Sequence, residues 1–167
     1  TPYLKSIQKK LSNIYIEKND AIKKIKFIKL LLAHNSLQIA ITFTDQLIRE
    51  ELVHYYYFPD SKSFKEELLN KIAKESDFYD LSTDLLFFLN IRNSSKNINS
   101  KDYIVNIRNK NNNLSKDVSL LDKENINIFY IKIRNVVNHG GKIDQNIDVN
   151  KIILKCLDSV EKFIKEG

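Results

Sequence analysis

Along most of the chain, apolar residues recur every three or four positions, the period of a helix with one buried face. Leu4, Ile7, Leu11, Ile14 and Tyr15 mark a lead helix within residues 1–18. Asn19 and Asp20 offer cap side chains. Ala21, Ile22, Ile25, Phe27, Ile28, Leu30, Leu31 and Leu32 then carry a second stripe to a break at Ala33-His34-Asn35. Ser36 opens the third stripe, Leu37, Ala40, Ile41, Thr44, Leu47, Ile48, Glu51 and Leu52, which leads into the aromatic cluster Tyr55–Phe58 and stops at Pro59. Phe64, Leu68, Leu69 and Ile72 share the face of a further helix, and the strongly apolar run from Phe78 to Ile91 predicts a central one.

Residues 92–119 break the pattern. Asn, Ser and Lys dominate, and only a few apolar side chains such as Tyr103 and Ile107 could anchor them, so the segment reads as a long polar insert. The helical period resumes after Asp122, with Ile126, Phe129, Tyr130, Ile133, Val136 and Val137, and Gly140-Gly141 is expected to stop that helix in a left-handed turn. A last helix beginning near Asp148 carries Val149, Ile152, Ile153, Cys156, Leu157, Val160, Phe163 and Ile164, which makes Cys156 a packing residue. The expectation is an all-α bundle of five long helices and one or two short ones, forming one domain over residues 1–167.

Composition agrees. The chain has 167 residues of which 43% are hydrophobic, enough for one core, while three glycines and two prolines leave little turn material for a many-stranded sheet. A single cysteine cannot form an internal disulfide, and no apolar run approaches the ~20 residues that cross a bilayer, so a soluble cytoplasmic protein with no membrane contact is expected. The absence of methionine and the opening at Thr1 read as a piece of a longer chain. Lys and Arg outnumber Asp and Glu by 27 to 21, a net charge of +6 that suits a polyanionic partner. Codons rich in A and T supply Asn, Ile and Lys alike, so base composition is a competing source for part of that charge.

Familiar catalytic signatures are missing: there is no Gly-rich phosphate loop, no His and Cys at metal-ligand spacing, and no nucleophile elbow, so neither a cofactor nor a metal is expected. Of the three histidines, His34 closes a helix and His54 sits in the aromatic run, where both read as packing residues. His139 differs, because it ends the segment Arg134-Asn135-Val136-Val137-Asn138-His139-Gly140-Gly141. Arg134 and His139 are about 140° and about 7.5 Å apart on an ideal helix, within reach of one phosphate for a long guanidinium side chain. Asn135, four residues before His139, shares its face and could orient the imidazole or a substrate oxygen.

This octapeptide resembles the signature of HEPN-superfamily ribonucleases, in which Arg, a polar residue and several variable residues precede His. The Arg-Asn start and the glycines after His look most like the C-terminal HEPN domain of CRISPR-associated type III effectors, whose N-terminal CARF domain senses cyclic oligoadenylate. The segment from Leu30 to Ile41 also looks like the helical hairpin before the catalytic region of those effectors. The resemblance implies that Arg134, Asn135 and His139 are catalytic and that a homodimer brings two copies together into a composite site. It implies metal-independent endonucleolytic cleavage of single-stranded RNA by attack of the 2′-OH, in antiviral defence. Cyclic oligoadenylate would act only through a sensor domain that this chain does not contain. Two other readings stand beside it. One is a HEPN toxin of a toxin–antitoxin pair, although Gly140-Gly141-Lys142 lacks the Tyr such toxins often carry after the His. The other is a non-catalytic helical dimerisation or scaffold module.

Overall fold

The computed structural model describes residues 2–57, 79, 82, 83, 86 and 118–166, and the described residues are helical and turn structure with no strand. The all-α expectation therefore holds over them. The helix expected around Phe64–Ile72, most of the run from Phe78 to Ile91 and the polar insert 92–119 lie outside the described residues, except that positions 79, 82, 83 and 86 are helical and that a short 3₁₀ turn spans Val118–Leu120.

Helix α1 covers Pro2–Ile16, α2 Asp20–Ala33 and α3 Leu37–Tyr57. Their ends follow from side-chain and backbone caps. Asn19 Oδ1 accepts from the Ile22 amide at 3.1 Å, satisfying one of the orphan donors at the start of α2. At the start of α3 it is the Ser36 carbonyl that accepts from the Ala40 amide, at 3.0 Å. Between them α2 closes on His34: the Asn35 amide bonds Leu32 O, the Ser36 amide bonds Leu31 O, and Asn35 takes the left-handed φ of 57°. These paired bonds reverse the chain in three residues, which folds α2 and α3 into a hairpin.

Helix α4 spans Lys123–Ile128 and is capped by Asp122, whose Oδ1 accepts from the Asn125 amide at 3.0 Å. Here the structure departs from the uniform helix that the spacing predicts. Phe129–Arg134 is a π-helical turn, and α5 is only Asn135–Asn138. After the exposed turn around Asp144, α6 runs over Val149–Glu166, with Asp148 Oδ1 capping the Lys151 amide at 3.1 Å. The last helix thus starts one residue from where the sequence places it.

The core lies where these elements face one another. Ile25 and Ile28 of α2, Ile41, Leu47, Ile48 and Leu52 of α3, and Ile126, Phe129 and Ile133 of the α4–π segment are buried. Across them lies the α6 stripe Ile153, Cys156, Leu157, Val160 and Phe163, spaced by three and four as one helical face requires. Each such side chain removed from water contributes roughly 1.5–3 kcal/mol before conformational entropy is charged against it. Cys156 is a packing residue, as expected: burial first, and then the charge of Asp122, push its thiol pKa far up, so it is inert as a nucleophile. Helix α1 is the exception. Its apolar positions Leu4, Leu11 and Tyr15 are exposed, Tyr15 to 87%, instead of joining the core.

Candidate functional site

The sequence places two charged residues on the apolar face of α3. Asp45 and Arg49 fall among Ile41, Ile48 and Leu52, positions a helix buries, and the two side chains pair at 2.7 Å. Arg49 is only 2% exposed, a burial that is costly for a cation without partners. It meets the cost with several. Its Nη1 donates to Ser82 Oγ at 2.9 Å and Thr83 Oγ1 at 2.7 Å, and more weakly to the Tyr79 carbonyl at 3.4 Å. The guanidinium carbon also stands 4.2 Å from the centre of the Tyr79 ring and 5.6 Å from that of Tyr130.

Arg134 approaches the same carboxylate from the other side. Its Nε donates to Asp45 Oδ2 at 3.1 Å, its Nη1 to Asn135 Oδ1 at 3.1 Å, and its Nη2 to the Tyr79 hydroxyl at 3.1 Å. Burial alone would lower the Arg134 pKa, but the negative charge of Asp45 and the hydrogen bond to Tyr79 outweigh it and raise the value. Among the described residues these bonds use three of the five guanidinium N–H groups, and the other two suit an external oxyanion. Beneath the pair, the phenol of Tyr130 is wholly buried, and desolvation first, with the Asp45 charge next, raises its pKa well above the ordinary value. It is a neutral hydrogen-bonding group at any working pH.

The π turn explains how Arg134 arrives there. The Asn135 amide bonds Tyr130 O, five residues back instead of four. Such a turn holds an extra residue, so everything after it is rotated by about one residue's step, roughly 100°, relative to an unbroken α-helix. Phe129, Tyr130 and Ile133 stay in the core, while Arg134, the next residue, swings to the edge of α3 and meets Asp45. A continuous helix has no such freedom.

His139 is the last residue of this device. It is the C-cap of α5, with its amide on Asn135 O at 3.1 Å, and it is exposed. Gly140 takes the left-handed φ of 72°, and the Gly141 amide bonds Val136 O at 2.8 Å, which stops the helix in the expected way. Gly141 has a packing reason as well: a Cβ there would lie 3.0 Å from Val136 Cγ1. The structure thus joins Arg134 to Asn135 through their side chains and joins Asn135 to His139 through the backbone. Among the described residues, no hydrogen bond or ion pair reaches the His139 imidazole, which stands in solvent at the end of the cluster.

Asp45, Arg49 and Tyr79 are site residues that the octapeptide does not announce. A signal for two of them exists: an acid and a base four apart on an otherwise apolar helical stripe, where a solvated ion pair has no place. Tyr79 carries no such mark. Among the described residues, no group of three or more His, Cys, Asp and Glu converges as metal ligands would, and no helix is long and apolar enough to cross a membrane. No family model, curated protein or solved structure matches this chain.

Proposed function

We propose that this chain is a metal-independent endoribonuclease domain of the HEPN type, cleaving single-stranded RNA through the ribose 2′-OH. The observation that carries the reading is the charge balance at Arg134. Among the described residues one carboxylate, Asp45, meets two guanidiniums, so the described part of this half-buried cluster carries more positive than negative charge, and an exposed histidine follows Arg134 five residues on. A phosphodiester supplies the missing anion, and the two remaining Arg134 N–H groups suit two phosphate oxygens.

In this reading the 2′-oxygen attacks the adjacent phosphorus, the bond from phosphorus to the 5′-oxygen breaks, and the products are a 2′,3′-cyclic phosphate and a 5′-OH. The proton lost by the 2′-OH and the proton gained by the 5′-oxygen are the work of His139, with a second imidazole supplied by the other copy in a homodimer. Arg134 stabilises the added charge on the pentacoordinate phosphorus, with Asn135 and Asp45 holding its plane. The same reading makes the chain the cytoplasmic effector domain of a CRISPR type III defence protein, responding to cyclic oligoadenylate through a separate sensor.

The test is cleavage of a fluorescent single-stranded RNA in excess EDTA. Arg134→Ala and His139→Ala should each cut the rate at least about a hundredfold with the fold intact, and Arg134→Lys should restore little, since one ammonium does not reproduce a planar fork. A substrate with a 2′-deoxy sugar at the scissile position should resist. Its cleavage, or full activity in His139→Ala, would overturn the mechanism. The exposed apolar face of α1 favours a second reading, a helical dimerisation or scaffold module. Under that reading the chain self-associates and cuts no RNA.

A further inference from the structure

We infer that Tyr79 is a stacking platform for a nucleobase next to the phosphate held by Arg134, an inference that rests on the ribonuclease reading. The ring is held unusually firmly for an aromatic at a surface. Its carbonyl accepts from Arg49 and from Ser82 Oγ, the latter at 2.9 Å, and Ser82 and Thr83 are tied to the same buried guanidinium. Arg49 lies over the ring at 4.2 Å, and the hydroxyl accepts from Arg134 Nη2 at 3.1 Å.

With its backbone, its hydroxyl and the ring contact with Arg49 fixed, Tyr79 still leaves 41% of its surface to solvent. Its contacts with Arg49 and Arg134 account for the fixed carbonyl, hydroxyl and ring, but they do not account for the part of the side chain that still faces solvent. Its place has a use if a flat, uncharged group lies on it. A base attached to the ribose whose phosphate meets Arg134 is such a group, and single-stranded RNA offers its unstacked bases to aromatic side chains. Stacking on a ring backed by a guanidinium also gains from the cation beneath it. The platform is indifferent to sequence, because every base has a π-face, so it selects single strands over duplexes and reads no particular base. Tyr79 is thus a substrate-binding residue, with no part in proton transfer.

The chain contains no tryptophan, so Tyr79→Trp introduces a single tryptophan at the platform, excited selectively over the tyrosines. In a His139→Ala background that prevents cleavage, binding is followed by anisotropy of a labelled single-stranded RNA. Tryptophan emission is followed in parallel with unlabelled RNA. The expected result is that Tyr79→Trp binds and its emission is quenched at saturation. Tyr79→Leu should bind the RNA about tenfold more weakly than the Tyr79 parent, while both bind an abasic ribose-phosphate oligomer within about twofold of each other. Bound RNA with unquenched emission, or equal RNA affinity of Tyr79→Leu and its parent, overturns the platform and leaves the ribonuclease reading standing. Failure of the parent to bind RNA at all overturns both. If Tyr79→Leu loses its helical circular dichroism, the tryptophan variant decides alone.

Discussion

Helices α2 and α5 end in the same way, and only one of the two ends lies at the candidate site. Each has a histidine at the C-cap, His34 or His139, followed by a residue in the left-handed conformation, Asn35 at φ 57° or Gly140 at φ 72°. Each closes with the same pair of backbone bonds, Asn35 to Leu32 and Ser36 to Leu31 at one end, Gly140 to Val137 and Gly141 to Val136 at the other. Yet His34 is half-buried at a tight turn between two core helices, while His139 is exposed and follows by five residues the arginine that pairs with Asp45. A histidine at a helix end is therefore not a site by itself. What differs is the neighbourhood: the π turn that brings Arg134 to the edge of α3, and the carboxylate waiting there.

The comparison breaks most severely if Asp45 is removed. Asp45→Ala leaves Arg49, 2% exposed, and the largely covered Arg134 facing each other with no carboxylate between them. Loss of one partner from a buried ion pair costs about 3–5 kcal/mol, and urea denaturation followed by circular dichroism should show a loss of that size. Asp45→Asn keeps the shape and one acceptor oxygen and should cost less. A change below about 1 kcal/mol for Asp45→Ala would mean that the cluster is not the feature that sets the two helix ends apart.

Exchanging the roles of the two histidines is the next test. His139→Ala should abolish at least about 99% of RNA cleavage, as the proton-transfer role demands, with little change in stability because the ring is exposed. His34→Ala, outside the cluster of Asp45, Arg49 and Arg134, should keep its cleavage rate within about threefold at temperatures where it is folded. Equal losses from both would make the histidine position, and not the arginine cluster, the determinant.

Helix α3 carries a second contrast, between two carboxylates. Asp45 sits between arginines, whereas Glu51 is pushed up to about 7 by burial first and by Glu50 beside it, with Lys24 opposing. Lys24 itself is ion-paired to Glu50. The raised value means the folded state holds the Glu51 proton more tightly than the unfolded chain does. The stability it adds is complete below about pH 4.5 and is lost as pH rises through about 7. Glu51→Gln should therefore stabilise the protein by up to about 3 kcal/mol at pH 8 and by almost nothing at pH 4, measured as the difference in stability from urea denaturation. A gain that is the same at both values would show that Glu51 does not carry its proton into the fold.

Much of this architecture is legible in the sequence because spacing and caps are local. The stripe of α6, the cap at Asp122 and the reversal at His34-Asn35-Ser36 all follow from short-range rules that tertiary contacts reinforce. The π turn is not legible, since Phe129, Tyr130, Ile133, Val136 and Val137 satisfy an α-helical period equally well, and the Arg134–Asp45 pair that accompanies it lies across the bundle. For the same reason the octapeptide yields Arg134, Asn135 and His139 while the residues that hold them stay hidden: Asp45 and Tyr79 are 89 and 55 positions away from Arg134. The exposed face of α1 runs the other way. Its periodicity promises burial, and periodicity alone does not say against what.

The smallest expected effect separates the two ends at their left-handed residues. Gly140 adopts φ 72° with nothing within 4 Å of where a Cβ would be, so Gly140→Ala meets no clash and isolates the intrinsic cost of a side chain in this conformation, about 1 kcal/mol. Asn35 already carries a side chain at φ 57°, and asparagine tolerates that region because its short polar group can bond locally. Asn35→Gly relieves the remaining backbone strain but gives the unfolded chain more freedom, and these opposing contributions should leave it within a few tenths of a kcal/mol of the parent. The informative measurement is cleavage by Gly140→Ala against its stability. If the histidine acts only when the helix end holds it, a backbone that frays at Gly140 loses more activity than its 1 kcal/mol of folding energy accounts for. A loss of rate no larger than the loss of folded protein would show that the exposed imidazole reaches the phosphate without the helix end to aim it.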